Sequence, residues 1–103
     1  MENITPVEWK EKLSNDSQAV IVDVRTPGEC SEGIQPGAIQ LDIMNGQRFM
    51  EETEKWDRNK NYYVYCRSGN RSGQACQYLS GKGFTTFNLL GGMMTWDGEV
   101  VAP

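Results

Sequence analysis

Residues 62–72 read Tyr62-Tyr63-Val64-Tyr65-Cys66-Arg67-Ser68-Gly69-Asn70-Arg71-Ser72, and this stretch decides the fold. Its first four residues are aromatic or β-branched, which is typical of a strand buried in a sheet. The turn-forming residue types at 68–70 then end the strand. Beyond them, the spacing of Ala75, Cys76 and Leu79 predicts an amphipathic helix from about Arg71 to Gly81. A strand that turns sharply into a helix is the repeating unit of an α/β protein with a parallel sheet.

The rest of the chain continues this alternation of strands and helices. Residues 19–24 form a run dominated by β-branched residues and bounded by polar turn residues, which indicates a strand buried on both faces of a parallel sheet. Shorter strands are predicted at residues 38–41 and 85–88. We therefore expect an α/β fold with a mostly parallel central sheet and helices on both faces. Residues 1–103 should form a single domain, because a chain of this length builds one core.

Helix signals precede and separate these strands. Thr5-Pro6-Val7-Glu8 is a capping box with proline at the first helical position, and it predicts a helix over 6–14. Val7, Trp9 and Leu13 are expected to face partly inward. Thr26-Pro27-Gly28-Glu29 is a second capping box and predicts a short helical turn. Residues 46–56 show helical periodicity. The inward positions of that helix are predicted to be Phe49, Met50, Thr53 and Trp56.

The composition excludes several classes of function. The chain contains no histidine, so a catalytic triad, a metal site or a general base built on histidine is ruled out. The net charge of −4 comes without a basic run, so we expect no nucleic-acid partner. No apolar run approaches the ~18 residues of a membrane span, and the N-terminus lacks a secretory signal pattern. We therefore expect a cytoplasmic protein without a membrane partner.

The cysteines are too few and too widely spaced for a disulfide framework or a zinc site. The chain has three of them, an odd number without close pairs. In a reducing compartment they should be free thiols. Cys76 falls on the predicted inward face of its helix and is expected to be a core residue. Cys66, in contrast, lies where a strand of a parallel sheet ends, which is where active sites of such sheets are found.

The loop after Cys66 is expected to favour a negative charge on the sulfur. Its backbone N–H groups, the positive end of the helix dipole and the guanidinium groups of Arg67 and Arg71 act in the same direction. They should lower the pKa of the thiol below the ~8.5 of a free cysteine. Such a thiolate needs no partner base, metal or cofactor. The same loop could bind an oxyanion or the negative sulfur of a persulfide. The predicted binding residues are Arg67, Ser68, Gly69, Asn70, Arg71 and Ser72.

Asp23 and Arg25 are predicted to support this site. Both lie at the end of the buried strand, on the sheet edge that carries Cys66. We interpret Asp23 as a structural hydrogen-bond anchor for neighbouring loop N–H groups rather than as a catalytic acid. Arg25 either adds positive charge to the site or pairs with Asp23 or a glutamate.

Four motifs follow one another in a characteristic order. They are residues 23–29, the turn at residues 36–39, the loop at residues 66–72, and a close formed by Gly83-Phe84 and residues 90–96. Together they make the chain resemble the single-domain rhodaneses, a family of thiosulfate and persulfide sulfurtransferases. The resemblance covers nearly the whole chain and implies a rhodanese-like fold. It also implies that Cys66 is the sulfur-bearing nucleophile and that residues 67–71 surround it.

The resemblance implies a reaction and its partners. Sulfane sulfur would move from thiosulfate or a persulfide donor to a thiophilic acceptor through a Cys66 persulfide, without a cofactor. The partner is then a small sulfur-containing anion or a persulfide, and a protein is an alternative sulfur donor or acceptor. Two positions depart from the family pattern. The histidine that often precedes the Pro-Gly-Ala turn is absent, and Cys30 replaces a usual aromatic residue. We favour an incidental substitution at Cys30 over a redox or resolving role.

Two rival functions use similar features. A cysteine-dependent phosphatase or an arsenate reductase-like enzyme also holds a thiolate in an anion-binding loop, but its arginine follows the cysteine after five residues. Here only four residues separate Cys66 from Arg71, and the position where a phosphatase has its arginine is occupied by Ser72. The shorter loop suits one sulfur better than a phosphate dianion. The second rival is a rhodanese-like sulfur-carrier or binding module without catalysis. Such modules usually lack the cysteine, so Cys66 favours an enzyme.

Overall fold

The computed structural model describes all of residues 1–103. The strands and helices alternate along the chain, and from Pro6 onward the sequence predicts this alternation. In chain order they are β1 Glu2–Ile4, α1 Pro6–Ser14, β2 Ala19–Asp23, α2 Pro27–Cys30, β3 Ile39–Gln40, α3 Gly46–Glu54, β4 Asn61–Tyr65, α4 Asn70–Gly81, β5 Thr85–Leu89 and a 3-10 helix Gly92–Met94. None of the helices has both the length and the apolar character that a membrane crossing requires.

The five strands form one sheet in the order β1-β5-β4-β2-β3. Every pair of neighbouring strands is parallel. The α/β class and the parallel sheet are therefore confirmed. β4 lies in the middle of the order, between β5 and β2, so the end of β4 is surrounded by the ends of its neighbours. This position explains why the loop after β4 can be contacted from both sides.

Helices cover both faces of the sheet, and β4 alternates between them. Tyr62, Val64 and Cys66 belong to the cluster that also contains core residues of α3 and α4. Tyr63 and Tyr65 belong to the opposite cluster, which contains Trp9 of α1. Because successive side chains of a strand point to opposite faces, this alternation places Cys66 on the α4 face.

Two predicted inward residues are instead exposed. Val7 has 72% of its surface exposed and Met50 has 50%. In α1 only Trp9 is fully buried, and Val7 lies about 200° around the helix from it. In α3, Phe49 and Thr53 are buried one turn apart, which leaves Met50 at the edge of that face. The inward predictions for Val7 and Met50 were therefore wrong.

The N-terminal strand β1 was not predicted from the sequence. It pairs in parallel with β5 over Glu2 to Ile4, and Ile4 is almost fully buried. Two of its three residues are polar, so the stretch lacks the run of β-branched residues that marks a strand. β1 forms because the outer edge of β5 is available for pairing. Residues 2–4 by themselves give no sign of this edge.

Candidate active site

The Cys66 sulfur sits in a turn that the backbone closes around it. Cys66 follows the last residue of β4, and its surface is 0% exposed. Gly69 adopts a left-handed conformation with φ of 102° and immediately precedes α4. Glycine takes up this conformation without steric cost, so the chain can turn sharply here. As a result the Gly69 N–H donates to the Cys66 Sγ at 3.1 Å.

The pKa of Cys66 lies below the ordinary cysteine value. Burial raises the pKa, but hydrogen bonds from the Ser72 side chain and from backbone N–H groups of the loop outweigh it. The direction agrees with the sequence-based expectation, and the loop N–H groups that were expected to stabilise the thiolate do so. The guanidinium groups contribute less than expected: Arg71 adds only a weaker Coulombic attraction to the thiolate.

A buried polar network continues from the sulfur to the N-terminal strand. The Ser72 Oγ lies 3.3 Å from the Cys66 Sγ and 2.6 Å from the Asn88 Oδ1. The Asn88 Nδ2 donates to the Gly69 carbonyl at 3.2 Å and to the Asn3 Oδ1 at 2.9 Å. Because a carbonyl only accepts, this contact fixes which end of the Asn88 amide faces Ser72. Asn88 therefore supports both residues that contact the sulfur.

Nothing in the sequence pointed to Asn88 or Asn3. Asn88 lies 16 residues from Ser72 and 85 from Asn3 along the chain. Asparagine inside a predicted strand gives no functional pattern by itself. The pairing of β1 with β5 and of β5 with β4 brings these amides beside the loop.

Arg71 differs from the expectation for an anion ligand. Its Nη1 and Nη2 bind the two Glu29 carboxylate oxygens at 2.7 and 2.8 Å. The guanidinium is therefore engaged in a two-pronged ion pair, and its charge is largely compensated. Glu29 also completes the capping box at Thr26. Its ion pair with Arg71 therefore connects α2 to the start of α4. Arg67 is exposed and takes part in no ion pair.

The Glu29 ion pair makes folding stability depend on acid pH. The hydrogen bonds from Arg71 hold the pKa of Glu29 at about 2, below its ordinary 4.5. A lowered folded-state pKa stabilises the protein above the unfolded value, and this stabilisation is lost as pH falls through about 2. We expect wild type to have a higher Tm than Glu29→Gln near neutral pH and the difference to shrink on acidification. A Tm difference that stays constant from neutral to acid pH would contradict this assignment.

Asp23 and Arg25 form the second ion pair of the site, and it is buried. The Arg25 Nη2 lies 2.7 Å from the Asp23 Oδ2, and the Asp23 Oδ1 also accepts from the Arg25 backbone N–H at 3.0 Å. The same guanidinium donates to the Gly33 carbonyl at 2.7 Å. Of the two roles considered for Arg25, the structure shows the pairing with Asp23. The Asp23 carboxylate thus accepts from one loop N–H, that of Arg25.

The 3-10 helix packs directly on the loop that begins at Cys66. The N–H groups of Met93 and Met94 donate to the carbonyls of Cys66 and Arg67, both at 3.0 Å. Gly92 has a positive φ of 52°, and a Cβ there would lie 2.4 Å from the Cys66 carbonyl oxygen. The glycine pair thus permits a close backbone approach. Beside it opens a cleft lined by Arg25, Glu29, Glu32, Arg67, Met93 and Met94.

The remaining loop residues face a different cleft. Ser68 and Asn70 are exposed, and with Gly69 they line a shallow depression on the β1 side of the loop. Its other lining residues are mostly polar, and Asn3 and Asn88 are among them. The structure therefore brings together the whole predicted loop, but the side chains of residues 67–72 face several directions.

The two other cysteines have much less acidic thiols than Cys66. Burial and the neighbouring Asp23 raise the pKa of Cys30 to about 11. Burial raises the pKa of Cys76 to about 12. Cys76 is fully buried in the core, as predicted. Cys30 is buried as well, where an aromatic side chain is usual in the family that the sequence resembles.

Alkylation should therefore select Cys66. We expect iodoacetamide near neutral pH to modify Cys66 first, because alkylation requires the thiolate. The rate measured against pH should have a midpoint below that of free cysteine in the same buffer. Peptide mapping of singly alkylated protein identifies the residue. First modification at Cys30, or a midpoint above that of free cysteine, would contradict the hydrogen-bonding argument.

Comparisons with known proteins agree with this architecture. The sequence model of the Rhodanese-like domain matches residues 5–99. YtwF of Bacillus subtilis, whose name as a sulfurtransferase is provisional, is 38% identical over 99 residues, covering 96% of this chain and 93% of YtwF. A protein of Allochromatium vinosum named sulfurtransferase is 38% identical over 87 residues, covering 84% of this chain and 78% of that protein. The crystal structure of a rhodanese-like domain protein from Staphylococcus aureus is 32% identical with a TM-score of 0.86, covering 100% of this chain and 99% of that one.

Proposed function

The chain belongs to the rhodanese-like domain family, and on this premise we propose that it is a sulfurtransferase that works through a Cys66 persulfide. It takes sulfane sulfur from thiosulfate or a persulfide donor and passes it to a thiophilic acceptor. The observation that carries the proposal is the Gly69 N–H donating to the Cys66 Sγ at 3.1 Å inside a tight loop. Sulfurtransferase names among relatives that span most of this chain support the reaction class.

In the first step the Cys66 thiolate attacks the outer sulfur of the donor. With thiosulfate, a new S–S bond forms to Cys66, the sulfur–sulfur bond of the donor breaks, and its electron pair leaves with sulfite. The product is a Cys66 persulfide with a negative terminal sulfur. No proton is transferred, so the absence of histidine from the chain does not obstruct this step.

In the second step a nucleophilic acceptor attacks the terminal sulfur of the Cys66 persulfide. The bond between that sulfur and Cys66 breaks, and its electron pair returns to Cys66 as a thiolate. The backbone N–H groups of Ser68, Gly69 and Ser72 stabilise the leaving thiolate because they already hydrogen-bond the Sγ. The same hydrogen bonds therefore serve the nucleophile in one step and the leaving group in the other.

Residues 1–103 act as one unit in this proposal. The loop is held by α2 through Glu29, by β5 through Asn88 and by the 3-10 helix through Met93. A thiolate of this kind works in a reducing environment, which the predicted cytoplasmic location would provide. The acceptor is a small thiophile or a protein thiol.

Mass spectrometry of the purified protein tests the proposed function. Incubation with thiosulfate, and separately with a low-molecular-weight persulfide, should add one sulfur atom to the intact mass. Peptide mapping should place it on Cys66, and addition of cyanide should remove it as thiocyanate. Cys76→Ser should still gain the sulfur and Cys66→Ser should not.

Two results would refute the proposed function. One is the absence of sulfur gain from either donor, or its location on Cys30 or Cys76. The other is Cys66-dependent hydrolysis of p-nitrophenyl phosphate without sulfur transfer, which would favour the phosphatase alternative. We expect negligible hydrolysis, since Arg71 is paired with Glu29 and leaves the loop poorly suited to a phosphate dianion.

A further inference from the structure

The charged side chains balance one another in the cleft between Arg67, which follows Cys66, and the two methionines of the 3-10 helix. Two arginines and two glutamates line it, together with two methionines. Arg25 is paired with Asp23 behind the cleft, and Glu29 is paired with Arg71. Once these pairs are formed, Glu32 and Arg67 are the lining charges without an ion-pair partner. The side chains therefore offer no net positive charge to an incoming donor.

This balance disfavours a small dianion. Thiosulfate carries two negative charges, so it is attracted by Arg67 and repelled by Glu32 along the same route. The whole chain has a net charge of −4, which adds no long-range attraction for an anion. The loop N–H groups remain available to thiosulfate, but they act only at contact distance from the sulfur.

Glu32 and Arg67 do not form an ion pair with each other. Both are exposed, both line the same cleft, and no oxygen of Glu32 lies within ion-pair distance of Arg67. Neither side chain makes a hydrogen bond to any other group of the protein. A cleft with two free charges of opposite sign is complementary to a ligand that carries an ammonium and a carboxylate together.

The rest of the cleft wall is apolar and one part of it is anchored. The buried Gln35 accepts from the Trp9 Nε1 at 3.0 Å and presents its own Nε2 to the Met93 sulfur at 3.8 Å. Through Gln35, Met93 is connected to Trp9 on the α1 face of the sheet. Met94, in contrast, is 67% exposed. Thioether side chains adapt to an alkyl group and give it contact that an inorganic anion cannot use.

We propose that this cleft selects an amino-acid persulfide, such as cysteine persulfide, over the thiosulfate dianion, with Glu32 binding the donor's ammonium group and Arg67 its carboxylate. The inference rests on the proposed function, since it names the donor for the same Cys66. Glu32 is then a specificity-determining residue that contacts the substrate outside the catalytic loop. The methylene group of the donor lies against the methionines.

The transfer from this donor is balanced without a further reagent. The Cys66 thiolate attacks the terminal sulfur of the protonated persulfide RS–SH, forming a Cys66–S–SH group. The sulfur–sulfur bond of the donor breaks, and its electron pair leaves with the cysteine thiolate RS⁻. That thiolate takes a proton from water.

Two donors that differ only in the ammonium group test the assignment. N-acetylcysteine persulfide has the carboxylate and alkyl group of cysteine persulfide but lacks the positive charge. Single-turnover loading of Cys66, followed by intact mass, should be about fivefold faster with cysteine persulfide in the wild type. The difference should disappear in Glu32→Gln. The matched control Glu11→Gln removes an exposed glutamate of α1 and should keep the preference.

The rate at which thiosulfate loads Cys66 should change in the opposite direction in the same variants. Its loading rate should rise about fivefold in Glu32→Gln and stay unchanged in Glu11→Gln, because one repulsive charge leaves the cleft. Equal loading of the two persulfides by wild type, or a preference retained in Glu32→Gln, would overturn the assignment to Glu32. Faster loading from thiosulfate than from cysteine persulfide in wild type would also overturn it. Loading by none of the donors would refute the proposed sulfurtransferase function itself.

Discussion

Replacing Gly92 by alanine should reduce sulfur transfer about 100-fold, because it displaces the backbone that carries Cys66. A Cβ at this position would lie 2.4 Å from the Cys66 carbonyl oxygen and 2.6 Å from the Arg67 carbonyl carbon. Both obstacles are backbone atoms, so they cannot rotate away. The positive φ of 52° adds strain for a residue with a side chain. Together we expect a loss of about 3 kcal/mol in the free energy of unfolding.

The matched control for this change is Gly81→Ala at the end of α4. A Cβ on Gly81 meets nothing within 4 Å, and the residue has ordinary helical geometry. This variant should be as stable as wild type or more stable, since alanine favours helix over glycine. Urea unfolding and single-turnover sulfur loading measure the two effects. Wild-type loading by Gly92→Ala would show that the contact with the 3-10 helix does not position the loop that carries Cys66.

Replacing Asp23 by alanine should destabilise the protein by about 3–5 kcal/mol, because it leaves the Arg25 guanidinium buried without its carboxylate. The Asp23 side chain is 0% exposed and that of Arg25 is 8% exposed. Removing one partner of such a pair costs far more than the pair contributes, since the remaining charge keeps its desolvation cost. The same change frees the Arg25 backbone N–H at the edge of the site.

A double variant separates this effect from general damage to the core. Asp23→Leu combined with Arg25→Met replaces both charges by apolar groups and should recover part of the lost stability. The exposed pair between Lys10 and Asp97 provides the other control, and Asp97→Ala should leave unfolding unchanged. Denaturant midpoints of the four proteins give the comparison. Equal stability of Asp23→Ala and the double variant would contradict the buried-charge argument.

Local sequence patterns predicted the scaffold of this protein and the place of the Cys66 thiol. The capping boxes at Thr5 and Thr26 start helices at the predicted residues. The apolar runs become parallel strands, and Cys66 follows the end of a central one. These features depend on neighbouring residues and on periodicity, so they can be read from short stretches of chain. The predictions for Val7 and Met50 failed because periodicity fixes a helix face only approximately.

The electrostatics of the site depended on contacts between distant parts of the chain. The sequence placed two arginines beside Cys66. It could not show that one of them, Arg71, forms an ion pair with Glu29, which lies 42 residues away along the chain. Likewise, Asn88 reaches the loop only because β5 pairs with β4. Glu32 and Arg67 also come from distant parts of the chain, and they line one cleft only after the chain has folded.

The sequence by itself therefore determined the α/β class, the order of most elements and the position of the Cys66 thiol at a strand end. Only the tertiary structure decided which hydrogen-bond donors contact the sulfur, which arginine remains unpaired and which charged side chains line the neighbouring cleft. The physical reason is that helix and strand signals arise within a few residues, whereas the energy of a charge or a thiolate depends on every group within a few ångströms. Those groups come from five strands and their connections, and folding alone brings them together.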